Sequence, residues 1–545
     1  MFQKKIFNLN TEFKTIAGSA LVISGATLLS RVVGLFRDRV LAHYYGAGST
    51  LDAYYAAFKI PDLIYNLLIV GALSAGFIPV FTKLFYQNEN EHSAAWELTN
   101  NIINIMALLM ILLGIFGFIF APTLTLLIAP GFTPENKETV VSLMRIMLLS
   151  PFLFGLSMVF GGVLQSLRRF FLFSIAPLFY NLGIIFGAAY LTKIFGINGL
   201  ALGVVLGAFI HMITQYYGAR QIGFRFKKIL DFKNPETRLI GKLMLPRTAG
   251  LAITQIDLLV VTFLASFLPT GSLAVYTLAN NLQAVPVGLI GIPFALAVFP
   301  VLSKLAAEEN RDAFADRYFT TLKQILFLIT PFLVIFFTLN LQIVRLVLGT
   351  GSFDWHATTT TAQTLFYFTL GMSAQSLIPL IARAFYSLSD TKTPFLIGIF
   401  SEIITIVTAI ILMKRYGVCG LAMGSAIGGT FNIILLFFFL QSKLKKNKLT
   451  ELFYFLLQLL GAAIPAYTII YYFEGLFQKV FDQTRFYGVF LQAVLCSIAG
   501  LTVFYLACYL FKLPEINYLF ASLKKQWLKI RSIPSEEIIN PKESI

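Results

Sequence analysis

One apolar run of this chain carries Ser30-Arg31-Val32-Val33-Gly34-Leu35-Phe36-Arg37-Asp38-Arg39. A guanidinium at the centre of a bilayer costs about 2.5–3.5 kcal/mol on insertion scales, so such a residue faces water, a partner or an anion. The planar fork of arginine suits carboxylate and phosphate better than a point charge does. At about 100° per residue, Arg31 and Asp38 share a face two turns apart, while Arg37 lies about 120° from Arg31. Two readings follow. Either both arginines line one wide cavity, the helix bending near Gly34, or Arg37 and Arg39 snorkel to an interface while Arg31 ties to Asp38 or another helix.

Further charges interrupt later apolar stretches. Asp52, Lys59 and Asp62 accompany a break at Pro61, and Pro286 offers an equivalent break later in the chain; proline frees carbonyls that line a cavity or permit a bend. Arg145, Arg247, Asp257, Lys323, Arg345, Arg383 and Glu402 complete the set. Lys323 and Arg345 lie near span ends and read as snorkelling; Arg247 and Arg383 suit either cavity lining or interface anchoring. Asp257 and Glu402, lone acids in apolar surroundings, are placed to bind a coupling cation or proton, or to partner a nearby arginine. His43, His92, His211 and His356 are scattered, and no zinc, CxxC or phosphate-loop pattern is present, so an enzyme is not expected. His211 reads as a polar interhelical contact.

The elements that must position these groups follow from composition. The chain has 545 residues, 57% of them hydrophobic and 12% charged, with a mean hydropathy of +0.78; a soluble domain carries about 25% charge. Apolar runs long enough to cross a bilayer recur from Ala17 to Phe511, so the expected class is an all-α polytopic membrane protein of about fourteen spans. The first three are expected near 17–41, 53–82 and 100–128, the seventh near 243–267, and the last two near 450–474 and 487–511. Lys4, Lys5 and Lys14 precede a run that holds Arg31 and leads into further spans, which reads as a retained first helix. Cys419, Cys496 and Cys508 sit in or at the edge of apolar segments and suggest no disulfide framework. The net charge of +16 is dispersed over short loops, which argues against nucleic acid. Its bias toward the loops on the side of both termini predicts cytoplasmic ends.

The sequence also repeats. Lys193-x-x-Gly196-x-x-Gly199-Leu200-Ala201-x-Gly203 recurs as Lys414-x-x-Gly417-x-x-Gly420-Leu421-Ala422-x-Gly424, and Pro79-Val80 with Lys83-Leu84 recurs as Pro300-Val301 with Lys304-Leu305 at the same offset. One register held at separated sites indicates duplication. Six spans separate the copies, which makes the repeats parallel, an architecture of alternating-access transporters. The expected organisation is a six-helix lobe over 1–222, a basic cytoplasmic linker over 223–242, a second six-helix lobe over 243–442, two extra helices within 443–512, and a cytoplasmic tail over 513–545.

Ser30-Arg31-x-x-Gly34-x-x-Arg37-Asp38, Gly46-Ala47-Gly48-x-x-x-Asp52-Ala53, Phe58-Lys59-Ile60-Pro61 and Phe385-Tyr386-Ser387-x-x-Asp390-Thr391-Lys392-Thr393-Pro394 together resemble the MurJ/MviN lipid II flippases of the MOP exporter superfamily. The resemblance implies two lobes around a cationic cavity for a pyrophosphate-linked sugar-peptide, with the last two spans forming a groove for the polyprenyl tail. It implies substrate-binding roles for Arg31, Arg37 and Asp52, in a bacterial inner membrane among membrane lipids and cell-wall synthases. Lys59, Arg247 and Arg383 are the cations expected to supplement them, because Tyr65 and Asn281 stand where many members carry further arginines. Asp257 matches an acid of a sodium site in some members and Glu402 stands in for a partner, which would couple transport to sodium or to membrane potential without any cofactor. Two other readings compete: a related exporter of another polyprenyl-linked oligosaccharide or of an amphipathic cation, and a membrane scaffold for cell-wall synthesis. The sign of the cavity potential separates the first, and buried charge argues against the second.

Overall fold

The structure, a computed structural model, describes residues 16–70, 76–87, 92–444 and 448–517. Its described elements are helical. In chain order they are α1 (Ile16–Tyr45), α2 (Ser49–Ala57), α3 (Lys59–Ile64), a π-helical turn (Tyr65–Val70), α4 (Ile78–Gln87), α5 (Ser93–Ile128), α6 (Pro134–Met147) and α7 (Leu149–Ser166). α8 (Phe170–Phe186) passes through a second π turn into α9 (Thr192–Phe195), and α10 (Asn198–Gln221) follows. The remainder is α11 (Pro235–Ala265), α12 (Ser272–Ala307), α13 (Arg311–Thr338), α14 (Asn340–Val347), α15 (Trp355–Ser387), α16 (Lys392–Tyr416), α17 (Val418–Lys443), α18 (Leu449–Val480) and α19 (Phe486–Leu510).

Among the described residues, eleven helical segments are long and apolar enough to cross a membrane. The other three expected spans fall on α1, on the broken run α2–α3–α4, and on α11, elements that include or adjoin residues outside the described ones. These are the elements that carry Arg31, Arg37, Asp52, Lys59 and Asp257. The break expected at Pro61 occurs three residues earlier, at Phe58, which lets Pro61 sit in the first turn of α3 where its missing N–H costs nothing. The break expected at Pro286 does not occur: α12 runs continuously through Pro286, Pro293 and Pro300.

The linker expected at 223–242 is anchored rather than free. Phe224 is buried, and α11 begins at Pro235, with the Asn234 side chain accepting a hydrogen bond from Thr237 N. Asn101 on α5 both donates to Asp231 O and accepts from Asp231 N, each at 2.7 Å. Asn100 accepts from Lys227 N at 2.6 Å, and Asn104 donates to Ile229 O at 2.8 Å. Three amides on one helix thus satisfy backbone that has no ladder of its own.

Packing gathers the chain into two compact units. The first comprises Met1–Val285, Val344–Phe368 and Gly398–Gly428; the second comprises Pro286–Ile343, Thr369–Ile397 and Gly429–Ile545. These boundaries run through α12, α14, α15, α16 and α17 rather than between the repeats. In the first unit α1 lies along α8, and α10 packs on α7 and α8. In the second, α18 and α19 pair and pack on α13, where Phe314, Phe319, Ile325, Phe455 and Phe504 form the centre of an apolar core.

The duplicated glycine motif has the same local geometry twice. Gly196 and Gly417 adopt φ of +56° and +55° at the turns. Beyond them, a Cβ on Gly203 would lie 2.6 Å from Gly187 Cα, and one on Gly424 would lie 2.8 Å from Ala409 Cβ. Small residues at four-residue spacing are how membrane helices reach close approach. Gly203→Ala should therefore destabilise the purified protein by about 3 kcal/mol, because backbone must move. Gly429→Ala, where a Cβ meets nothing within 4 Å, should stabilise it by about 1 kcal/mol through helix propensity. Thermal unfolding in detergent reads both, and equal effects would remove the packing explanation.

Candidate functional site

The cations of α1 have three different fates. Arg37 donates through Nε (3.0 Å) and Nη2 (2.7 Å) to Asp38 Oδ1, and through Nη1 to Asn181 Oδ1 of α8 at 3.0 Å. The second oxygen of Asp38 accepts from Asn281 Nδ2 of α12 at 3.0 Å. Asp38 therefore pairs with its neighbour and not with Arg31 on its own face; the flexible arginine stem wraps across the 100° that separates them. The position where further positive charge would have been added, Asn281, instead saturates Asp38 with a neutral amide. Arg39 donates to the carbonyl oxygens of Leu346 and Val347 at the end of α14. Arg31 differs from both: Nη1 donates to Ala284 O at 3.2 Å, Nε is buried without a partner, and no carboxylate pairs with it among the described residues. It is a half-buried cation with unused donors.

A second charge cluster joins α3, α11 and α16. The Lys59 ammonium is within electrostatic reach of Asp62 and Asp257, and the Asp257 and Glu402 carboxyl groups lie close enough to interact. The π turn after α3 shifts the helical register here, a device common at functional sites. Asn66 within it donates to Gln255 Oε1 at 3.4 Å. Two carboxyl groups this close hold a proton between them or make room for a cation. Lys59, expected to supplement the arginines, is answered by two acids and so is not a spare positive charge. Asp62 also borders a cavity of about 190 Å³ with Tyr65, Tyr180 and His211. His211 makes the expected interhelical contact, Nδ1 to Ser157 Oγ at 2.7 Å.

Asp52, expected to bind substrate, is engaged within the protein. Buried in the first turn of α2, it accepts from Gly271 N at 2.6 Å and Ala274 N at 2.8 Å. Both oxygens are thus engaged in capping the N-terminus of α12, where unpaired N–H groups and the helix dipole favour an anion. Around this cap the first unit closes through main chain. A Cβ on Gly271 would lie 2.0 Å from Ala47 O, and one on Gly351 would lie 2.3 Å from His43 O. Ser352 N donates to His43 O at 2.8 Å.

The remaining expected residues are dispersed. Arg247 lies in α11, and its side chain falls outside the described residues. Arg383, in the second unit, folds back on its own helix, Nη1 donating to Pro379 O at 3.2 Å. Lys323 pairs with Glu451 of α18, and Arg345 lies 5.5 Å from the Trp355 ring centroid, as befits span ends. In the Asp390-Thr391-Lys392-Thr393 motif Asp390 accepts from Thr393 N at 3.0 Å and pairs with Lys443. Burial opposes ionisation of this carboxyl, but the hydrogen bonds from Lys443 and Thr393 outweigh it and hold it at about 2. That motif is a structural turn. Asn181 was not foreseen; the signal was a lone amide in an apolar helix, four residues after Pro177.

A sequence family described as lipid II flippase MurJ matches residues 41–491. A probable lipid II flippase MurJ of Vibrio cholerae is 28% identical over 438 residues, covering 78% of this chain and 83% of that protein. One of Borreliella burgdorferi is 26% identical, covering 94% and 99%. A solved structure of lipid II flippase MurJ in an inward closed conformation superposes with a TM-score of 0.75 at 24% identity, over 90% of this chain and 98% of that one. With the match extending over most of the chain and a shared fold of membrane-spanning helices, this protein belongs to the MurJ lipid II flippase family.

Proposed function

We propose that this chain translocates a polyprenyl-diphosphate-linked peptidoglycan precursor, lipid II, across the bacterial cytoplasmic membrane by alternating access. The observation that carries the reading within the site is Arg31: a cation held half out of water, without a carboxylate, offers unused donors to an anion that cannot enter hydrocarbon alone. Arg37, already oriented by Asp38 and Asn181, contributes a pre-organised edge beside it. The polyprenyl tail runs along α18 and α19, the pair outside the duplication. Asp257 and Glu402 take the coupling cation or proton, and Asp52 holds one end closed until that end must open. The decisive experiment replaces the essential lipid II flippase of a test bacterium with this chain; failure to support growth, with the protein present in the membrane at normal abundance, would overturn the reading.

Both termini are cytoplasmic in this proposal, following the excess of Lys and Arg in the loops on their side. Reporter fusions at Lys446 and Thr270 should then report opposite faces, cytoplasmic for Lys446 and external for Thr270. The same face for both would refute the assignment.

A further inference from the structure

A cleft of about 590 Å³ lies between the end of α5 and one face of α6, away from the charges described above. It is lined by Pro122, Thr125, Leu126, Lys137, Ser142 and Arg145, with Glu138 at its rim. Its construction starts from Pro122, which sits inside α5 and has no N–H to give to Phe118 O, the carbonyl four residues back. Arg145 Nε supplies that bond at 3.2 Å, with the guanidinium 4.9 Å from the Phe118 ring centroid. One edge of the arginine is thereby fixed, and its two terminal nitrogens have no hydrogen-bond partner among the described residues. Lys137, two turns earlier on α6, lines the same cleft. Thr125 is 1% exposed, and its hydroxyl has no partner although it borders the cleft. A threonine inside a helix ordinarily bonds the carbonyl four residues back.

Two cations and an unused hydroxyl around one opening suit a phosphate group, and Glu138 leaves a net charge of +1, which matches a single monoanion. The cleft opens beside Leu126 and Leu127, which are 55% and 65% exposed, and beside Ile119 at 61%, on a helix of membrane-spanning length. A free ion would leave that apolar margin unused, whereas acyl chains would cover it.

We propose that this cleft binds the monoanionic phosphodiester of a phosphatidylglycerol-type lipid, with the Arg145 fork and Lys137 on the phosphate, Thr125 donating to it, and the acyl chains along Leu126 and Leu127. The site does not depend on what the protein transports.

The test uses the full chain purified in detergent, with bound lipid counted by native mass spectrometry against dimyristoyl phosphatidylglycerol, dimyristoyl phosphatidylcholine and inorganic phosphate. Wild type should retain one phosphatidylglycerol at least ten-fold more tightly than phosphatidylcholine, and millimolar phosphate should not displace it. Lys137→Gln and Arg145→Gln should each weaken retention about ten-fold, and Glu138→Gln should strengthen it. Lys137→Gln leaves the Phe118 carbonyl capped, so its effect separates lost binding from lost folding. Equal retention of the two lipids, retention unchanged in both cation variants, or displacement by phosphate would each overturn the proposal.

Discussion

Arg31→Ala is expected to abolish complementation by this chain while its abundance in the membrane stays near normal. Arg31 makes one modest bond to Ala284 O and no ion pair among the described residues, so little of the fold depends on it. A diphosphate in the same place would lose charge-assisted hydrogen bonds worth about 1.5–3 kcal/mol each, or about 10- to 100-fold in binding. Arg31→Lys should rescue growth only in part, because an ammonium supplies charge without the planar fork. The comparison with Arg37→Ala sharpens the assignment. Removing Arg37 leaves Asp38 buried with one neutral amide, and breaking a buried pair costs about 3–5 kcal/mol, so that variant should lose protein as well as activity. Wild-type growth with Arg31→Ala would return Arg31 to a structural tie; loss of abundance would make it part of the fold. Immunoblotting beside the growth assay distinguishes the two.

The second large effect is expected at Asp52. Its two oxygens cap α12 from a different segment of the chain, so Asp52→Ala strands the N–H groups of Gly271 and Ala274. Loss of such a cap costs about 2 kcal/mol, a shift of about thirty-fold in any equilibrium that opens this end. The shift can be read by placing a cysteine at the contact, Ala47→Cys, and following its reaction with a membrane-impermeant maleimide; Cys419, Cys496 and Cys508 are buried. Labelling should be many-fold faster with Asp52→Ala, and Asp52→Asn, which keeps one acceptor oxygen, should fall between. Transport should fall in both, because a conformational cycle slows when one state is no longer held. Identical labelling in all three backgrounds would mean that the Asp52 cap does not govern the opening of this end.

These two residues also show what the amino-acid order reveals and conceals. That the chain is helical and spans a membrane is written in the apolar runs, and the tight helix crossings are written in glycines four residues apart at Gly199, Gly203 and Gly420, Gly424. Arg31 was legible as a misplaced charge. The employment of Asp52 was not, because its partners are backbone N–H groups more than two hundred residues away, and backbone donors leave no mark in a sequence. Helical angles alone put Asp38 with Arg31, whereas the long Arg37 side chain reaches around the helix and takes it. Asn281 looked like a missing cation; in place, its amide balances the other oxygen of Asp38. The anchoring of the basic linker was not legible either, because the asparagines that pin it belong to α5. Apart from Arg37 and Asp38, which are adjacent in the chain, these partners are distant in sequence.

The closed end at Gly46, Gly271 and Gly351 has a consequence for control. Its contacts are mainly carbonyl and amide groups and bare Cα atoms, with the His43 ring lying against Gly351 and Thr350. Asp52, the carboxylate that caps this end, is buried. A seal of this kind sets a fixed threshold. In the proposed cycle, what occupies the arginine-bearing and acid-bearing helices decides when this end opens, so command and closure reside in different atoms. Substitutions that alter when the protein opens should then map to the charged helices, and those that alter whether it can shut should map to the glycines.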